Sequence, residues 1–433
     1  MKITVLGAGI IGVSTAWHLV AHGHEVTVVD RQPQAAMETS FANAAQISVG
    51  YCEPWANRDA PWKALKWMFS REAPLLFRPQ FPLGEGWHQY RWGLEFLANC
   101  NDTAYERNVQ QLVALGAYSH AALKEVVSAT GITFNRMEKG IAHFYVDQQS
   151  FDAAGTACEL ISKYGVSRQV VSRDALLRIE PAFQSYADHI VGGTFTASDE
   201  SGDARVFTQE LAQRCAARGV EFLWKHDVVS LDATGDSLAT VTVRNQASGA
   251  RQALRSDLFI VALGSFSAPL LRTVGVNLPI YPGKGYSATF RILQPQRAPQ
   301  VSFIDDSVKC AMSRLGDTLR IAGTIEVGGY DTRLDTPLAR ARCQMLARRV
   351  ETVFPGVCDT RLESEGGTPN FWTGLRPSTP TNVPYIGKSG LRNLWVNAGH
   401  GTLGWTHGAG SGKAMAELVS GGKPDTAFRF YGV

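Results

Sequence analysis

The first thirty residues constrain the fold more than any other segment. An apolar run, Lys2-Ile3-Thr4-Val5-Leu6, leads into Gly7-Ala8-Gly9-Ile10-Ile11-Gly12. Apolar residues then recur at helical spacing through Ala16 and Leu19 to Gly23, and a second apolar run, Val26-Thr27-Val28-Val29, ends on Asp30. Strand, tight turn, helix, strand and acid in this order form a dinucleotide-binding unit. Gly7 permits the turn, Gly9 lets backbone approach a pyrophosphate, and Gly12 allows the helix to pack close to the strand. The amides at the helix start, around Ile10 and Ile11, offer free N–H groups and partial positive charge to the phosphates. Asp30 stands where a carboxylate accepts hydrogen bonds from ribose hydroxyls.

A chain of 433 residues can bury more than one core, so two domains are expected. The net charge of +3 carries no nucleic-acid footprint, and no run approaches the ~20 apolar residues of a bilayer span. With the first strand starting at residue 2, no room is left for a secretory signal. Cys52, Cys100, Cys158, Cys215, Cys310, Cys343 and Cys358 are scattered, without a C-x-x-C pair. Reduced thiols in the cytoplasm, and no metal centre, are the expectation. His18, His22 and His24 read as the exposed face of the first helix rather than as metal ligands.

Farther along, residues 51–100 are rich in Trp, Pro and Phe without strand alternation. A helix is expected over 104–130 with Gly131 as its cap, and strand alternation returns at Ile141–Val146. Asp203 should cap a helix ending at Gly219, followed by a strand at Val220–Trp224 and another at Val241–Val243. Asp257–Gly264 reads as a buried parallel strand, 337–352 as a basic helix, Leu394–Asn397 as a strand and 408–420 as a small-residue helix. The expected fold is α/β: a discontinuous Rossmann-like nucleotide-binding domain (1–45, 199–278 and 365–433) plus an α+β substrate domain with a large mixed or antiparallel sheet (46–198 and 279–364).

The bound nucleotide reads as flavin rather than nicotinamide. After Asp30 comes a small, polar stretch, Glu38-Thr39-Ser40-Phe41-Ala42-Asn43-Ala44-Ala45-Gln46-Ile47, which lets backbone and hydroxyl groups approach a large planar ligand. Near the other end, Gly399-His400-Gly401-Thr402-Leu403-Gly404-Trp405 opens a helix whose free amides can stabilise negative charge on a reduced flavin. A second strand-to-glycine turn ends at Gly264. Arg376, in Phe371-Trp372-Thr373-Gly374-Leu375-Arg376-Pro377, carries a planar guanidinium able to grip a carboxylate with two parallel hydrogen bonds. Lys284 offers a second positive charge, and Tyr286 a pocket wall.

These motifs, with Tyr281-Pro282, Lys284-Gly285-Tyr286-Ser287 and the run Gly399–Thr406, resemble the D-amino-acid oxidase/glycine oxidase superfamily of FAD enzymes over nearly the whole chain. Within it the likeness is strongest to the bacterial D-amino-acid dehydrogenases of the small-subunit type. The resemblance implies an FAD with its adenine toward Asp30 and Val228. It implies further cofactor contacts from Arg31, Ser40, Asn43, Ala44, Gln46, Ile47, Gly264, Gly374, Arg376, Gly401, Thr402, Leu403 and Gly404. It places Tyr51 with Arg376 on the substrate carboxylate, and Gln46, His400 and Trp405 beside the flavin, His400 either as a packing group or as a general base. The implied reaction is oxidation of a D-amino acid to an imino acid, then hydrolysis to a 2-oxo acid and ammonia, with electrons passed to a quinone or another acceptor. A cyclic or N-substituted amine such as D-hydroxyproline, glycine or sarcosine stays open as substrate, as does oxygen as acceptor. Two departures from the family pattern are His407-Gly408-Ala409-Gly410, where Met-Ala-Cys-Gly is usual, and Ala45, where Gly is usual. The basic, aromatic stretch Trp62–Phe69 with Arg71 reads as a helix packed on the substrate domain, or else as a surface resting on a membrane close to a quinone. That puts the protein in the cytoplasm or at the inner face of the cell membrane. The oligomeric state is not legible.

Overall fold

A computed structural model describes residues 1–62, 74–81 and 84–433; apart from Trp62, the stretch expected to form a helix or membrane face at 62–71 lies outside the described residues. The chain has an α/β fold. Its first sheet has six strands in the order Tyr385–Lys388, Leu394–Ala398, Leu258–Val261, Lys2–Leu6, Glu25–Asp30, Glu221–Trp224. All pair in parallel except the edge strand Tyr385–Lys388. The central strands are buried on both faces, which is why they read as continuous Val/Ile/Leu runs rather than as alternation. Lys2–Leu6 lies between Glu25–Asp30 and Leu258–Val261, so Gly7, Asp30 and Gly264 all gather at the carboxyl edge of the sheet, where such folds bind ligands.

Small residues bring the helices on this sheet together. A Cβ at Gly412, in the helix Gly404–Val419, would lie 2.4 Å from the Ser14 carbonyl carbon of the helix Ile10–Ala21. One at Gly410 would lie 2.5 Å from Ser119 Cα in the long helix Asp102–Thr130. That long helix starts where the Asn101 side chain accepts from the Ala104 N–H, and it ends at Gly131 in the left-handed region. The Asp203 carboxylate caps Ala204–Ala217 by accepting from the Arg205 and Val206 N–H groups.

The second sheet has nine strands. Asn370–Ser378 lies at one edge, followed by Tyr281–Arg291, Thr318–Val327, Cys310–Leu315, Ser302–Asp305, Ile141–Tyr145, Gly192–Thr196 and Gln169–Ser172, with Leu75–Phe77 also paired to Thr318–Val327. The strand Asn370–Ser378, grouped above with the nucleotide-binding segments, thus hydrogen-bonds to Tyr281–Arg291 of this larger sheet. The helix Pro337–Val353 covers one face, where Ala288, Phe290, Leu319, Ile321, Leu346 and Val350 share a core. A three-stranded antiparallel meander, His226–Thr234, Ser237–Asn245 and Arg251–Leu254, carries Val228.

Three differences from the sequence reading have simple causes. Gly404–Val419 begins at Gly404 rather than 408, because its opening turn faces a cavity and needs no side-chain cap. Residues 51–100 contain the helix Glu85–Ala98, whose apolar residues serve partly as cavity wall and so lack a clean core-facing period. His18 is buried, not exposed: burial pushes its pKa down to about 3, and its Nε2 has no hydrogen-bond partner among the described residues.

Candidate active site

At the carboxyl edge of the six-stranded sheet, the glycines act by closeness. Gly7 has φ +108°, and a Cβ there would sit 2.5 Å from the Ala262 carbonyl oxygen. One at Gly12 would sit 1.9 Å from the Gly7 carbonyl oxygen, so any side chain would lever the helix off the turn. Gly9 caps the helix Ile10–Ala21 with no side chain closing its end, while Ile10 N–H donates to Ser40 Oγ at 3.1 Å. Ile11 is the next residue of that first turn. The Asp30 carboxylate accepts from the Ala8 N–H (2.6 Å) and the Gln32 N–H (2.8 Å), and burial raises its pKa. Arg31 is held by Glu38 at 2.5 Å and lies over the Phe266 ring. Gly264 turns at φ +55° with open space where a Cβ would be.

A cavity of about 1160 Å³ runs from this edge to the face of the nine-stranded sheet, beyond the ~300–1,000 Å³ of ordinary small-molecule sites. Ile10, Ser40, Asn43, Ala44, Gln46, Gly374, Arg376, Gly401, Thr402, Leu403 and Gly404 all line it, as do Tyr51 and Trp405. The side chain of Asn43 accepts from the Ala45 N–H at 3.0 Å, and Ala45 adopts φ +61°. That left-handed conformation is the physical reason a glycine suits this position. Gln46 donates to the Phe303 carbonyl at 3.0 Å, tying the polar stretch to the larger sheet. Ile47 pairs with Glu200 in a two-stranded ribbon and is core, so its side chain is not a cavity wall. Val228 also packs in a core cluster away from the cavity.

Arg376 projects from Asn370–Ser378 across the neighbouring strand, where Gly283 pairs with Arg376 and Gly285 with Gly374. A Cβ at Gly285 would lie 2.0 Å from Arg376 Nη1, so the missing side chain is the room the guanidinium occupies. Nη1 donates to the Thr324 carbonyl at 2.8 Å. Thr324 itself has φ +52°, at a bulge where the pairing of Thr318–Val327 with Tyr281–Arg291 shifts register. Burial lowers the Arg376 pKa to about 10, which leaves it cationic at neutral pH. The other charged walls are paired: Arg168 with Glu53 at 2.5 Å, Arg58 with Asp102 at 3.8 Å, Lys309 with Asp306. Arg376 has no carboxylate partner among the described residues. Tyr51 ends the short 3-10 turn Val49–Tyr51, its ring edge-on to His143, and its hydroxyl has no hydrogen-bond partner among the described residues.

Lys284 and His400 stand elsewhere, and Tyr286 borders the cavity as a wall from the core side. Side chains alternate along a strand, and with Gly283 and Gly285 on the cavity face, Lys284 and Tyr286 point to the other one. Lys284 Nζ donates to the Arg333 carbonyl at 2.8 Å, and the residue does not line the cavity. Tyr286 borders the cavity, but its ring is 1% exposed in the core beneath Pro337–Val353 and its hydroxyl donates to Glu326. His400 is buried, with Nε2 2.9 Å from Ser411 Oγ, and burial holds its pKa far below the usual range. It is neutral and outside the cavity wall, so the geometry gives it no general-base task. Sequence reasoning missed Arg168, Glu53 and Asp199. Arg168 sits in an unremarkable Ser-Arg-Gln run, and only folding brings it under Tyr51.

The uncapped Ile10–Ala21 terminus, the glycine turns without room for a Cβ, and the second uncapped terminus at Gly404 on one continuous cavity suit an extended dinucleotide with a planar ring at one end. A family model described as FAD dependent oxidoreductase matches residues 2–418. The chain belongs to the FAD-dependent oxidoreductase family. It is therefore an FAD-dependent oxidoreductase, and FAD is its cofactor. Among curated relatives, the D-amino acid dehydrogenase of Dechloromonas aromatica (strain RCB) is 45% identical over 430 residues, covering 99% of both chains. The D-amino acid dehydrogenase of Rhizobium rhizogenes is 41% identical, covering 98% of this chain and 97% of its own. The family's fold is also that of glycine oxidase from Geobacillus kaustophilus, with a TM-score of 0.73 at 19% identity over 100% of this chain and 99% of that one.

Proposed function

We propose that this flavoenzyme oxidises D-amino acids to 2-oxo acids and ammonia. The observation that carries the reading is Arg376, a cavity-facing guanidinium with no carboxylate of its own. A free amino acid supplies that carboxylate, and a planar fork fixes its orientation as well as its position. The Tyr51 hydroxyl, without a partner among the described residues, is the second donor to the same group. FAD, when bound, would supply the two-electron acceptor for the hydride that leaves Cα. This chain holds the substrate so that Cα–H meets that acceptor, which is most of the catalytic task. The opening amides of Gly404–Val419, beside Thr402 and Leu403, would stabilise the negative charge that then develops. Ser40, Asn43, Ala44, Gln46 and Gly374 would hold the ring end of the cofactor, while Gly7, Gly9, Gly12 and Asp30 would hold its nucleotide. The names of the two curated relatives, at over 40% identity across almost the whole chain, support the D-amino acid as substrate. In this reading residues 1–45, 199–278 and the part of 365–433 beyond Ser378 bind the cofactor, and 46–198, 279–364 and Asn370–Ser378 form the substrate part.

The electron acceptor in this reading is a quinone reached from the cytoplasmic face of a membrane. Trp55, Leu75, Phe77, Trp92 and Phe96 line the cavity, and Trp62, Phe81, Trp87, Leu94 and Leu97 are exposed apolar residues in the same segments. The contact in this reading is peripheral; no helix among the described residues is long and apolar enough to cross a membrane. Arg376→Ala is expected to keep FAD and lower kcat/KM for a D-amino acid at least ~100-fold, about 3 kcal/mol. Steady-state assays with a dye acceptor measure it, and near-normal kinetics would remove Arg376 from the site.

A further inference from the structure

The turn that presents Tyr51 is gripped by buried polar side chains from two distant parts of the chain. Both Asp199 carboxylate oxygens accept from the Gly50 N–H, each at 3.1 Å. From the other side, Arg168 Nη1 donates to the Gly50 carbonyl at 3.4 Å, and the guanidinium carbon lies 5.5 Å from the Tyr51 ring centroid. Asp199 and Arg168 are 2% and 4% exposed. The remaining donors of Arg168 are used on Glu53, Thr194, Tyr145 and His143, so its own position is fixed. The His143 ring meets Tyr51 edge-on at 4.6 Å. A Cβ at Gly50 would fall 2.3 Å from Thr196 Oγ1 and 2.9 Å from Asp199 Oδ2, so only glycine fits against these two side chains.

We propose that Asp199 and Arg168 are positioning residues for the substrate: holding Gly50 by its N–H and by its carbonyl, they aim the Tyr51 hydroxyl into the cavity. Neither needs to touch substrate. A buried acid on the N–H side of Gly50 and a buried guanidinium on its carbonyl side are costly to assemble and hold the two peptides that flank Gly50 in one orientation. The inference rests on the reading that Tyr51 serves the substrate carboxylate, and the test separates the two.

FAD-loaded Tyr51→Phe tests the reading alone: it should raise KM for a D-amino acid about tenfold, one hydrogen bond's share. Asp199→Ala should raise KM by a similar factor with kcat little changed, and should add nothing in the Tyr51→Phe background. Asp199→Asn keeps an oxygen acceptor for the Gly50 N–H and should restore KM. If Asp199→Ala fails to fold, Arg168→Lys takes its place in the same cycle. Independently of turnover, 3-fluorotyrosine at position 51 should shift its 19F resonance in Asp199→Ala and in Arg168→Lys, and return toward wild type in Asp199→Asn. An unchanged resonance, or effects that add in full to those of Tyr51→Phe, would overturn the clamp. A shifted resonance with a silent Tyr51→Phe would leave the clamp standing and remove Tyr51 from the substrate.

Discussion

Gly285→Ala isolates the geometry of the carboxylate grip without touching its charge. The added Cβ would stand 2.0 Å from Arg376 Nη1, 2.3 Å from Cζ and 2.6 Å from Nη2. Non-bonded heavy atoms settle near ~3.5 Å, so the guanidinium must retreat by about 1.5 Å. The strand cannot give way easily, because Gly285 is paired on one side with Gly374 and the Thr373 hydroxyl donates to its carbonyl. A displacement of ~1 Å at a positioning group costs about 100-fold in rate, or roughly 2.7 kcal/mol. The expectation is thus a ~100-fold fall in kcat/KM for a D-amino acid, with FAD content and the unfolding transition close to wild type. In an Arg376→Ala background the same substitution should do almost nothing more, because both act on one contact. Dye-coupled assays on the four members of the cycle measure this. A Gly285→Ala enzyme with kcat/KM within about threefold of wild type, or one whose loss adds fully to that of Arg376→Ala, would refute the assignment of Arg376 to the substrate.

Other expectations follow from burial. The Asp199 pKa is raised to about 7 by burial, so the folded chain keeps a proton that the unfolded chain releases near 3.8. Stability should therefore fall as pH rises from about 4 to about 7, by as much as ~4 kcal/mol at 1.36 kcal/mol per pKa unit, and Asp199→Asn should flatten that slope in denaturant titrations. His407 is fully buried, its pKa lowered to about 3 by burial, with Nε2 on the Leu112 carbonyl and Nδ1 without a partner among the described residues. His407→Met removes an unsatisfied buried group and should stabilise the protein by about 1 kcal/mol, most visibly below pH 6, where the unfolded state gains the proton; a lower melting temperature at pH 5.5 would contradict this. Asn101→Ala removes the cap of the long helix and should cost about 1 kcal/mol in urea unfolding while leaving kinetics unchanged.

The nucleotide half was legible because local rules wrote it. Gly7, Gly12 and Asp30 sit at fixed spacings that one strand–turn–helix unit demands, and Gly131 and Asp203 mark helix ends by their own chemistry. Residue order also placed Arg376, Tyr51 and the 401–404 turn on one cavity. The face of a strand was harder to read. Lys284 carries the attractive charge of its motif, yet the neighbouring Gly285 faces the cavity, and a period of two turns a one-residue shift into the opposite side of a sheet. His400 looked reactive beside glycines, but Ser411 and burial hold it neutral. Arg168 and Asp199 were invisible because their meaning depends on Gly50, more than a hundred residues away in the chain.

The central claim, oxidation of D-amino acids at a flavin, is tested most directly by following the visible spectrum of the purified holoenzyme under argon. D-amino acids, L-amino acids and cis-4-hydroxy-D-proline are added in turn. The account predicts that D-amino acids bleach the oxidised flavin band while L-enantiomers leave it intact. A yellow protein that the hydroxyproline alone bleaches, or that no amine bleaches, would contradict it.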